Sequence, residues 1–403
     1  MKFIEREIYI KQILPFIDSS LIKVIIGQRR VGKSYLLYQL IDFIKVNDSS
    51  AQIIYINKER FEFDEIKNYI DLIKYVEGQF SKGVKNYLFI DEIQDIEEFE
   101  RGLRHLALEI DLDIYCTGSN ANLLSGELAT FLSGRYIEFK VQGLSFKEFL
   151  KFNDFENSDE SLRKYLLWGS LPFIKNLPNE DDVIEEYLKN IFSTIVYKDI
   201  VARFNIRNVF FLDNLIKFLA NNSGSIISSK KISDYLKSQK INMSPQIVLN
   251  YLSYLKQAFL VHNVKRTGLN GKKVFEINEK IYFEDWGIMN AIIGFENMDI
   301  GKVIENVIFS HLKSKGYSIL VGTVGDNEID FIGEKGGNKI YIQACYLLSD
   351  EKVKLREFGN LKLVKDNYPK YVVSLDAYAP KNIDGIQHIY LRDFLLSENF
   401  AFF

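Results

Sequence analysis

The chain has 403 residues, a formal net charge of −3 at pH 7 and 47% hydrophobic residues. This length suits about two or three domains, and the apolar content allows sizeable cores, which excludes a disordered or fibrous protein. Two cysteines, Cys116 and Cys345, exclude a disulfide framework. Without an N-terminal signal pattern or an apolar run of about 18 residues, the sequence predicts a cytoplasmic protein and no membrane partner.

Five short apolar runs alternate with helical spacing over residues 1–150. The runs predicted as strands are residues 21–26, 52–57, 86–91, 113–118 and 136–141. Alternating strands and helices with near-continuous apolar strands predict an α/β domain whose parallel sheet is covered on both faces. Ligands of such sheets bind at the carboxyl ends of the strands.

A phosphate-binding pattern, G-x-x-x-x-G-K-S, lies between the first predicted strand and the first predicted helix. Its residues are Gly27, Gln28, Arg29, Arg30, Val31, Gly32, Lys33 and Ser34. The backbone N–H groups of such a loop and the positive end of the following helix bind phosphate. We expect Lys33 to reach the β- and γ-phosphates and Ser34 to bind Mg²⁺, so the predicted ligands are ATP and Mg²⁺.

Two carboxylates follow the third predicted strand. Asp91 is expected to share the Mg²⁺ with Ser34, and Glu92 is expected to orient and deprotonate the attacking water. The alternative is an ordinary acidic turn after a strand.

Three further residues are candidates for the same site. Asn120, after the fourth strand, is the first choice for contacting the γ-phosphate, and Ser119 is the second choice or a helix cap. Arg135 precedes the fifth strand, where a guanidinium could stabilise transition-state charge in cis or on a neighbouring subunit. The alternative for Arg135 is a surface salt bridge.

A series of short motifs runs through most of the chain. They are Arg6 and residues 22–34, 89–94, 117–120, 134–136, 144–149, 168–172, 197–200, 283–287 and 328–331. The series resembles the prokaryotic AAA-type ATPases that carry a C-terminal domain of unknown function, relatives of archaeal-type ATPases that are often linked to a nuclease-like fold. This resemblance implies ATP binding. On this basis residues 1–150 are predicted to be the AAA-type ATPase domain and residues 151–205 a helical lid or linker.

Residues 206–278 predict a winged helix. Helices are expected at residues 209–221, 230–238 and 245–258, followed by a strand over 259–265, a turn over 268–271 and a returning strand over 273–277. Helices followed by a hairpin in this order are typical of winged helices, which are related to the helix-turn-helix.

The charge of residues 226–273 favours DNA as the partner of this module. The segment has nine Lys or Arg residues and one acidic residue, a net charge of +8, which leaves −11 for the rest of the chain. A basic module in an acidic chain indicates binding to a phosphate backbone. Lys272 and Lys273 are expected at the tip of the wing, and the third helix offers Gln246, Asn250 and Ser253. The alternative is a protein-interaction module with solvated lysines.

Residues 279–403 resemble a restriction-endonuclease-like α/β domain. Helices are predicted at residues 302–315 and 350–359, and strands at 317–322, 328–333, 339–346 and 370–375. The resemblance implies a metal site at Asp330 and Gln343, to which Glu305 and Glu328 could contribute. Cys345 stands where the resemblance implies a lysine, and a neutral thiol cannot stabilise developing phosphate charge. A degenerate nuclease fold is therefore favoured over an active nuclease.

The sequence thus predicts an ATP hydrolase that couples nucleotide state to a DNA-binding winged helix and a nuclease-like domain. Two alternatives remain open: an ATP-gated regulatory module with negligible turnover, and an ATP-regulated, metal-dependent DNA nuclease. DNA, a protein partner and a homo-oligomer are the predicted macromolecular partners.

Overall fold

The computed structural model describes residues 4–124, 132, 134–269, 279–348 and 350–397. The chain divides into two compact units, one of residues 1–143 and 257–259 and one of residues 144–256 and 260–403. Among the described helices, none has both the length and the apolar character that crossing a lipid bilayer requires.

A five-stranded sheet forms the centre of the first unit. Its strands are β1 (Ile22–Ile26), β2 (Gln52–Asn57), β3 (Asn86–Asp91), β4 (Leu112–Gly118) and β5 (Tyr136–Lys140). They lie in the order β2-β3-β4-β1-β5, and every neighbouring pair is parallel. The predicted parallel α/β sheet is therefore confirmed, and each strand end lies within one residue of its prediction.

Helices connect these strands. They are α1 (Glu7–Ile13), α2 (Lys33–Asn47), α3 (Tyr69–Gln79) and α4 (Phe99–Leu106). Every residue of β3 and β4 is buried, as is typical of strands covered on both faces. Helix α3 begins with a capping box. The Asn68 side chain accepts a hydrogen bond from the Asp71 backbone N–H, and the Asp71 side chain accepts one from the Asn68 backbone N–H.

The strand register brings the carboxyl ends of the central strands to one edge of the sheet. Ile26, the last residue of β1, pairs with Gly118, the last residue of β4. Asn57 of β2 pairs with Asp91 of β3 in the same way. The segments that follow β1, β3 and β4 therefore meet at this edge, where a ligand of a parallel sheet is expected.

A buried ion pair joins β1 to β4 away from that edge. Lys23 is fully buried, and its ammonium contacts the Asp113 carboxylate. Asp113 also accepts hydrogen bonds from the Tyr115 hydroxyl at 2.8 Å and from the Asp18 backbone N–H at 2.9 Å. Burial lowers the pKa of Lys23 and raises the pKa of Asp113. Each charge is therefore stabilised chiefly by the other.

The second unit begins with helices. They are α5 (Phe146–Asn153), α6 (Asp159–Trp168), α7 (Asp181–Thr194), α8 (Val209–Asn221), α9 (Ser229–Ser238) and α10 (Pro245–Gln257). Helix α7 continues without a break into a π-helical segment, Ile195–Ala202. The side chains of Ser145, Ser158 and Ser228 cap α5, α6 and α9 by accepting a hydrogen bond from a backbone N–H in the first turn.

A three-stranded antiparallel sheet combines a short strand before α9 with two strands after α10. The strands of this region are β6 (Ile226–Ile227), β7 (Val261–Val264), β8 (Arg266–Gly268) and β9 (Glu279–Phe283). Three of them pair in the order β6-β9-β7. The predicted domain boundary at residue 278 thus falls directly before β9, which pairs with β6 and β7, two strands that precede it in the sequence. The returning strand predicted over residues 273–277 lies outside the described residues.

The fourth strand, β8, belongs to a larger mixed sheet. Its other strands are β10 (Ser318–Val324), β11 (Asn327–Lys335), β12 (Asn338–Ala344), β13 (Lys370–Ser374), β14 (Asn382–Ile383) and β15 (Ile386–Tyr390). The order is β14-β15-β13-β12-β11-β10-β8. Gly268, the first residue of the turn predicted over residues 268–271, lies instead in β8 and pairs with Thr323 of β10, whereas residues 270 and 271 lie outside the described residues.

Helices accompany this mixed sheet. They are α11 (Trp286–Ile293), α12 (Ile300–Ser314), α13 (Glu351–Lys362) and α14 (Leu391–Leu396). Helices α12 and α13 and strands β10 to β13 match the elements predicted for this part of the chain. Strands β14 and β15 and helix α14 were not predicted, since their sequences are short and carry a weak apolar pattern.

We expect Asp113→Asn to lower the free energy of unfolding of the first unit by about 3–5 kcal/mol, because the Lys23 ammonium then stays buried without a counter-charge. Urea unfolding followed by circular dichroism measures the loss. The double variant Lys23→Met, Asp113→Asn removes both charges and should recover most of it. A single variant that unfolds at the wild-type urea concentration would contradict this role of the pair.

Candidate functional site

The phosphate-binding loop connects β1 directly to α2. A side chain at Gly27 would collide with the backbone, since an added Cβ would lie 2.2 Å from the Val141 carbonyl oxygen. Gly32 precedes the first residue of α2 with a left-handed φ of +97°, which favours glycine. The two glycines of the pattern therefore serve different needs, close packing at the start of the loop and backbone conformation at its end.

Lys33 is buried inside the loop. Its ammonium donates to the carbonyl oxygens of Gly27 at 3.0 Å and of Gln28 at 3.1 Å. It also lies 3.7 Å from Oε1 of Glu92. The positive charge is thus held at the centre of the loop, next to the carboxyl ends of β1 and β3.

Ser34 and Asp91 contact each other beside the loop, as the sequence predicts. The Ser34 hydroxyl hydrogen-bonds to the Asp91 carboxylate. The Thr117 hydroxyl donates to Oδ1 of Asp91 at 2.5 Å. Burial raises the pKa of Asp91, although both hydroxyls oppose that shift. A hydroxyl and a carboxylate oxygen side by side are the hard ligands that Mg²⁺ prefers, so this pair fits the predicted metal.

Glu92 is held in place by its neighbours on β4 and in the following turn. It has a left-handed φ of +59°, and its backbone N–H donates to the Thr117 hydroxyl at 3.0 Å. The side-chain oxygen Oε2 accepts from the Ser119 hydroxyl at 3.1 Å and from the Gln94 amide. Burial acts to raise the pKa of Glu92, but Lys33 and these donors outweigh it and hold the pKa below its usual value. Glu92 is therefore an ionised carboxylate that can accept a proton.

Ser119, the second choice of the sequence analysis at the end of β4, is the residue that contacts Glu92. Asn120, the first choice, is half-buried one residue further on, and its carbonyl oxygen accepts the Leu123 backbone N–H at 3.3 Å. The assignment of Asn120 to the γ-phosphate stays a prediction. Thr117 and Gln94, which the sequence analysis left without a role, contact the two carboxylates directly.

The other loop residues differ in their surroundings. Arg29 is buried and pairs with Glu59 at 3.2 Å, whereas Arg30 is exposed with a φ of +70°. Val31 is buried. Gln28 is fully buried, and among the described residues neither its amide nitrogen nor its amide oxygen has a hydrogen-bond partner. Val31 and Gln28 therefore shape the loop, whereas Arg29 adds a second positive charge that, together with Lys33, lowers the pKa of Glu92.

Arg6 stabilises the phosphate-binding loop through hydrogen bonds to backbone carbonyl groups. Its position in the sequence does not suggest this role. Its buried guanidinium donates to the Val31 carbonyl oxygen at 3.2 Å. It also donates to the carbonyl oxygens of Gln142 at 3.1 Å and Gly143 at 3.2 Å. One side chain thus ties the phosphate-binding loop to the segment that follows β5.

Arg135 lies at the opposite end of the sheet from the loop. Its backbone carbonyl accepts the N–H of Ile22, the first residue of β1, whereas the loop follows the last residue, Ile26. Four residues of strand separate the two ends by about 13 Å. This position favours the neighbouring-subunit alternative for Arg135 over a role in cis, and the role itself stays a prediction.

A second cluster of carboxylates lies in the second unit. Lys280 of β9 is buried, and its ammonium lies 2.7 Å from Glu305, 2.6 Å from Glu328 and 3.0 Å from Asp330. The Tyr282 hydroxyl donates to Glu305 at 2.6 Å. Burial acts to lower the pKa of Lys280, but the three carboxylates outweigh it and raise the pKa. The lysine is therefore a permanent cation at the centre of the cluster.

This arrangement disfavours the predicted metal site, which stays a prediction. Glu305, Glu328 and Asp330 converge as expected, and Gln343 joins them by accepting the Asp330 backbone N–H at 3.3 Å. The position between the carboxylates is taken by the Lys280 ammonium. Across the part of the chain that the structure describes, no group of three or more His, Cys, Asp or Glu residues is arranged to hold a metal ion. Lys280 was missed because it lies far from its partners in the sequence.

Cys345 is an inert thiol beside this cluster. It is buried, and burial together with nearby carboxylates raises its pKa to about 12. A thiol with that pKa stays protonated at neutral pH and is a poor nucleophile. The interpretation of Cys345 as a core residue therefore agrees with its surroundings.

Two family models match the chain. Residues 19–150 match the AAA domain, and residues 159–299 match a domain of unknown function, DUF8612. The chain is 37% identical over 399 residues to an uncharacterized protein of Haemophilus influenzae, covering 98% of each chain. It is 32% identical over 386 residues to an uncharacterized protein of Methanocaldococcus jannaschii, covering 91% of this chain and 82% of the relative.

Similarities to solved structures are distant. A DNA polymerase III gamma subunit-related protein from Thermotoga maritima has a TM-score of 0.30 at 12% identity, covering 62% of this chain and 99% of that chain. A DNA replication initiation factor has a TM-score of 0.27 at 20% identity, covering 53% of this chain and 67% of that chain. Scores at this level do not establish a common architecture.

We expect Arg6→Lys to weaken ATP binding about tenfold, equivalent to ~1.4 kcal/mol, because the single nitrogen of an ammonium cannot span the carbonyl oxygens that two separate guanidinium nitrogens contact. Titration calorimetry with ATP and Mg²⁺ measures the affinity. Arg101→Lys, at an exposed arginine that pairs with Glu98, is the matched control and should bind ATP as the wild type does. Equal ATP affinity in the Arg6 variant and the control would contradict the bracing role.

We expect Lys280→Met to destabilise the second unit by about 3–5 kcal/mol, because the buried Asp330 and the half-buried Glu305 and Glu328 lose the cation between them. Burial already raises the pKa of Glu305 from 4.5 to about 7. This carboxylate therefore takes up a proton as the pH falls from 8 to 6. Fewer negative charges then lack a cation in the variant, so its loss of unfolding free energy should be smaller at pH 6 than at pH 8. Urea unfolding at each pH measures it.

The control for this prediction is Lys339→Met, which removes a more exposed lysine of β12 that pairs with Glu334 of the neighbouring strand β11. Its cost should stay below ~1 kcal/mol at every pH. Equal destabilisation by the two substitutions, or a loss at Lys280 that does not vary with pH, would contradict the account of the cluster.

Proposed function

We propose that this chain, which belongs to the same family as its Haemophilus influenzae relative, hydrolyses Mg-ATP and couples its nucleotide state to a DNA-binding module. Residues 19–150 are an AAA domain. The observation that carries the proposal is the convergence of Lys33, Ser34, Asp91 and Glu92 at the carboxyl edge of the parallel sheet. A cation, a pair of metal ligands and an ionised base within one buried site are the parts that phosphoryl transfer to water requires.

The proposed division of labour follows from the contacts. The loop amides and Lys33 bind the phosphates, for which Lys33 must leave the carbonyl oxygens of Gly27 and Gln28. Ser34 and Asp91 hold Mg²⁺, which when bound neutralises charge on the phosphate oxygens. Tyr55 lies behind Asp91, with its hydroxyl 3.4 Å from the carboxylate, and limits the directions from which a metal can approach.

Glu92 is proposed as the general base. It takes a proton from the attacking water, and its carboxylate is oriented for this by Ser119 and Gln94. The depressed pKa makes Glu92 a weak base at rest. Because Lys33 contributes to that depression, movement of Lys33 towards a phosphate would raise the basicity of Glu92 when substrate is present.

Arg135 and Asn120 are proposed to complete the site. Arg135 is exposed beside the first residue of β1, at the opposite end of the strands from the loop. A role for it in catalysis therefore requires a second copy of the chain. This favours a homo-oligomer as the hydrolysing form. Asn120 stays the candidate for contact with the γ-phosphate from the end of β4.

The winged-helix proposal is supported by element order and charge. The order α8, β6, α9, α10, β7, β9 with the pairing β6-β9-β7 is typical of a winged helix. On the outer face of α10, Gln246, Asn250 and Ser253 are exposed. Lys230, Lys237 and Lys240 are exposed at the two ends of α9, which supports contact with a phosphate backbone. Lys272 and Lys273 lie outside the described residues.

The last domain is proposed to be a nuclease-like fold that no longer cleaves DNA. The permanent Lys280 cation between Glu305, Glu328 and Asp330 disfavours a divalent metal there, and Cys345 offers no ammonium in the position that the resemblance implies. We therefore rank the ATP-regulated nuclease below an ATPase whose output is DNA binding.

We expect Glu92→Gln to bind ATP but to reduce turnover at least about 100-fold, because the amide cannot accept the proton of the attacking water. Phosphate release measures turnover, and ATP that co-elutes with the protein in gel filtration reports the trapped state. Glu97→Gln, an exposed residue of the same turn, is the matched control and should turn over normally. Wild-type turnover in the Glu92 variant would remove Glu92 from its proposed role.

A further inference from the structure

A groove of about 550 Å³ lies between helices α8 and α9 of the second unit. One wall comes from α8 and the residue that ends it, with members that recur at three or four residues along one face: Phe210, Asn214, Lys217, Phe218, Asn221 and Asn222. The other wall comes from α9 and the residues just after it, with Lys231, Tyr235 and Gln239 at intervals of four beside Leu236 and Ile241. The proposed duplex contacts on α10 do not line this groove.

Aromatic side chains are unusually open to solvent in this groove. Phe210 is 70% exposed and Tyr235 is 46% exposed. The rings of Phe218 and Tyr235 pack together with their centroids 4.7 Å apart. Phe210 and Tyr235, one on each wall, therefore keep ring surface available for stacking against a planar ligand.

Lysine and amide groups flank the rings. Lys231 has no ion-pair partner among the described residues, and Lys217 forms only an exposed pair with Asp213 at 2.8 Å, which a phosphate can displace. Each of Asn214, Asn221 and Asn222 donates its amide N–H to the carbonyl four residues earlier in α8. Their amide oxygens remain acceptors for the amino groups of a base.

The charge of this groove differs from that of a larger cleft in the same unit. That cleft, of about 860 Å³, is lined by one arginine and by the carboxylates Asp159, Asp181, Asp182, Glu185 and Glu296. Among the residues described as lining the α8–α9 groove, none is acidic. A polyanion is therefore repelled by the larger cleft and attracted by the smaller groove.

We propose that the α8–α9 groove binds single-stranded DNA, with unstacked bases on Phe210 and Tyr235 and the backbone near Lys217 and Lys231. Exposed rings interleaved with cations and amides are the combination that single strands use, because every base offers a face for stacking. A duplex cannot use the rings, since its base faces are already stacked on one another. This site is additional to the proposed duplex contact on α10.

Fluorescence polarisation with the full chain tests the proposal, using labelled oligothymidylate and a labelled duplex of equal length. We expect Phe210→Ala and Tyr235→Ala each to weaken single-strand binding at least about fivefold, the lower limit typical of losing one stacked base. Duplex affinity should stay within about twofold, because the substituted rings do not reach paired bases. Tyr346→Ala is the matched control, since Tyr346 is 49% exposed and lines the acidic cleft.

Each outcome decides between the two DNA proposals. The groove proposal is overturned if the double variant Phe210→Ala, Tyr235→Ala binds single strands with unchanged affinity. It is also overturned if the wild type does not bind oligothymidylate. In either case the groove would suit a polypeptide instead. Equal losses on single strand and duplex also overturn it. If the ring variants lose single-strand binding and the wild type does not bind duplex, the groove proposal is supported and the proposed α10 contact is ruled out.

Discussion

The buried ammonium of Lys33 is the interaction on which the proposed chemistry depends. It lies where the parallel register brings the end of β1 beside the end of β3, and it contacts both the loop carbonyls and Glu92. Two constraints fix this position. Gly27 packs against the Val141 carbonyl, and Gly32 turns the chain into α2 with a left-handed backbone. Arg6 then ties the loop to the segment after β5, so the site is defined by elements from both ends of the first unit.

Buried lysines recur in this chain with different consequences. Lys23 forms a one-to-one pair with Asp113 in the sheet, whereas Lys280 faces three carboxylates. A buried pair satisfies its own charges and has no need of a ligand. Lys33, by contrast, is held by two neutral carbonyl groups and a carboxylate 3.7 Å away, contacts that a phosphate can replace. Among the three, Lys33 alone is placed for exchange with an anionic ligand.

The sequence predicted the local features and missed the long-range contacts. The five parallel strands and the positions of Lys33, Ser34, Asp91 and Glu92 followed from apolar runs and from a motif with defined flanking elements. Lys23 and Lys280 could not be recognised, because each looks like an isolated charge in an apolar strand. Their partners lie 90 and 25 to 50 residues away. The sequence could not choose between the two roles of Arg135 for a related reason, since its distance from the loop depends on strand direction rather than on spacing.

The central claim is that nucleotide turnover in the first unit responds to DNA. Phosphate release by the full chain, with and without duplex DNA and with Lys33→Ala as the blank, tests it most directly. The account predicts turnover above the blank that duplex DNA stimulates. ATP binding without turnover in either condition would contradict it and would favour a nucleotide-gated regulatory module.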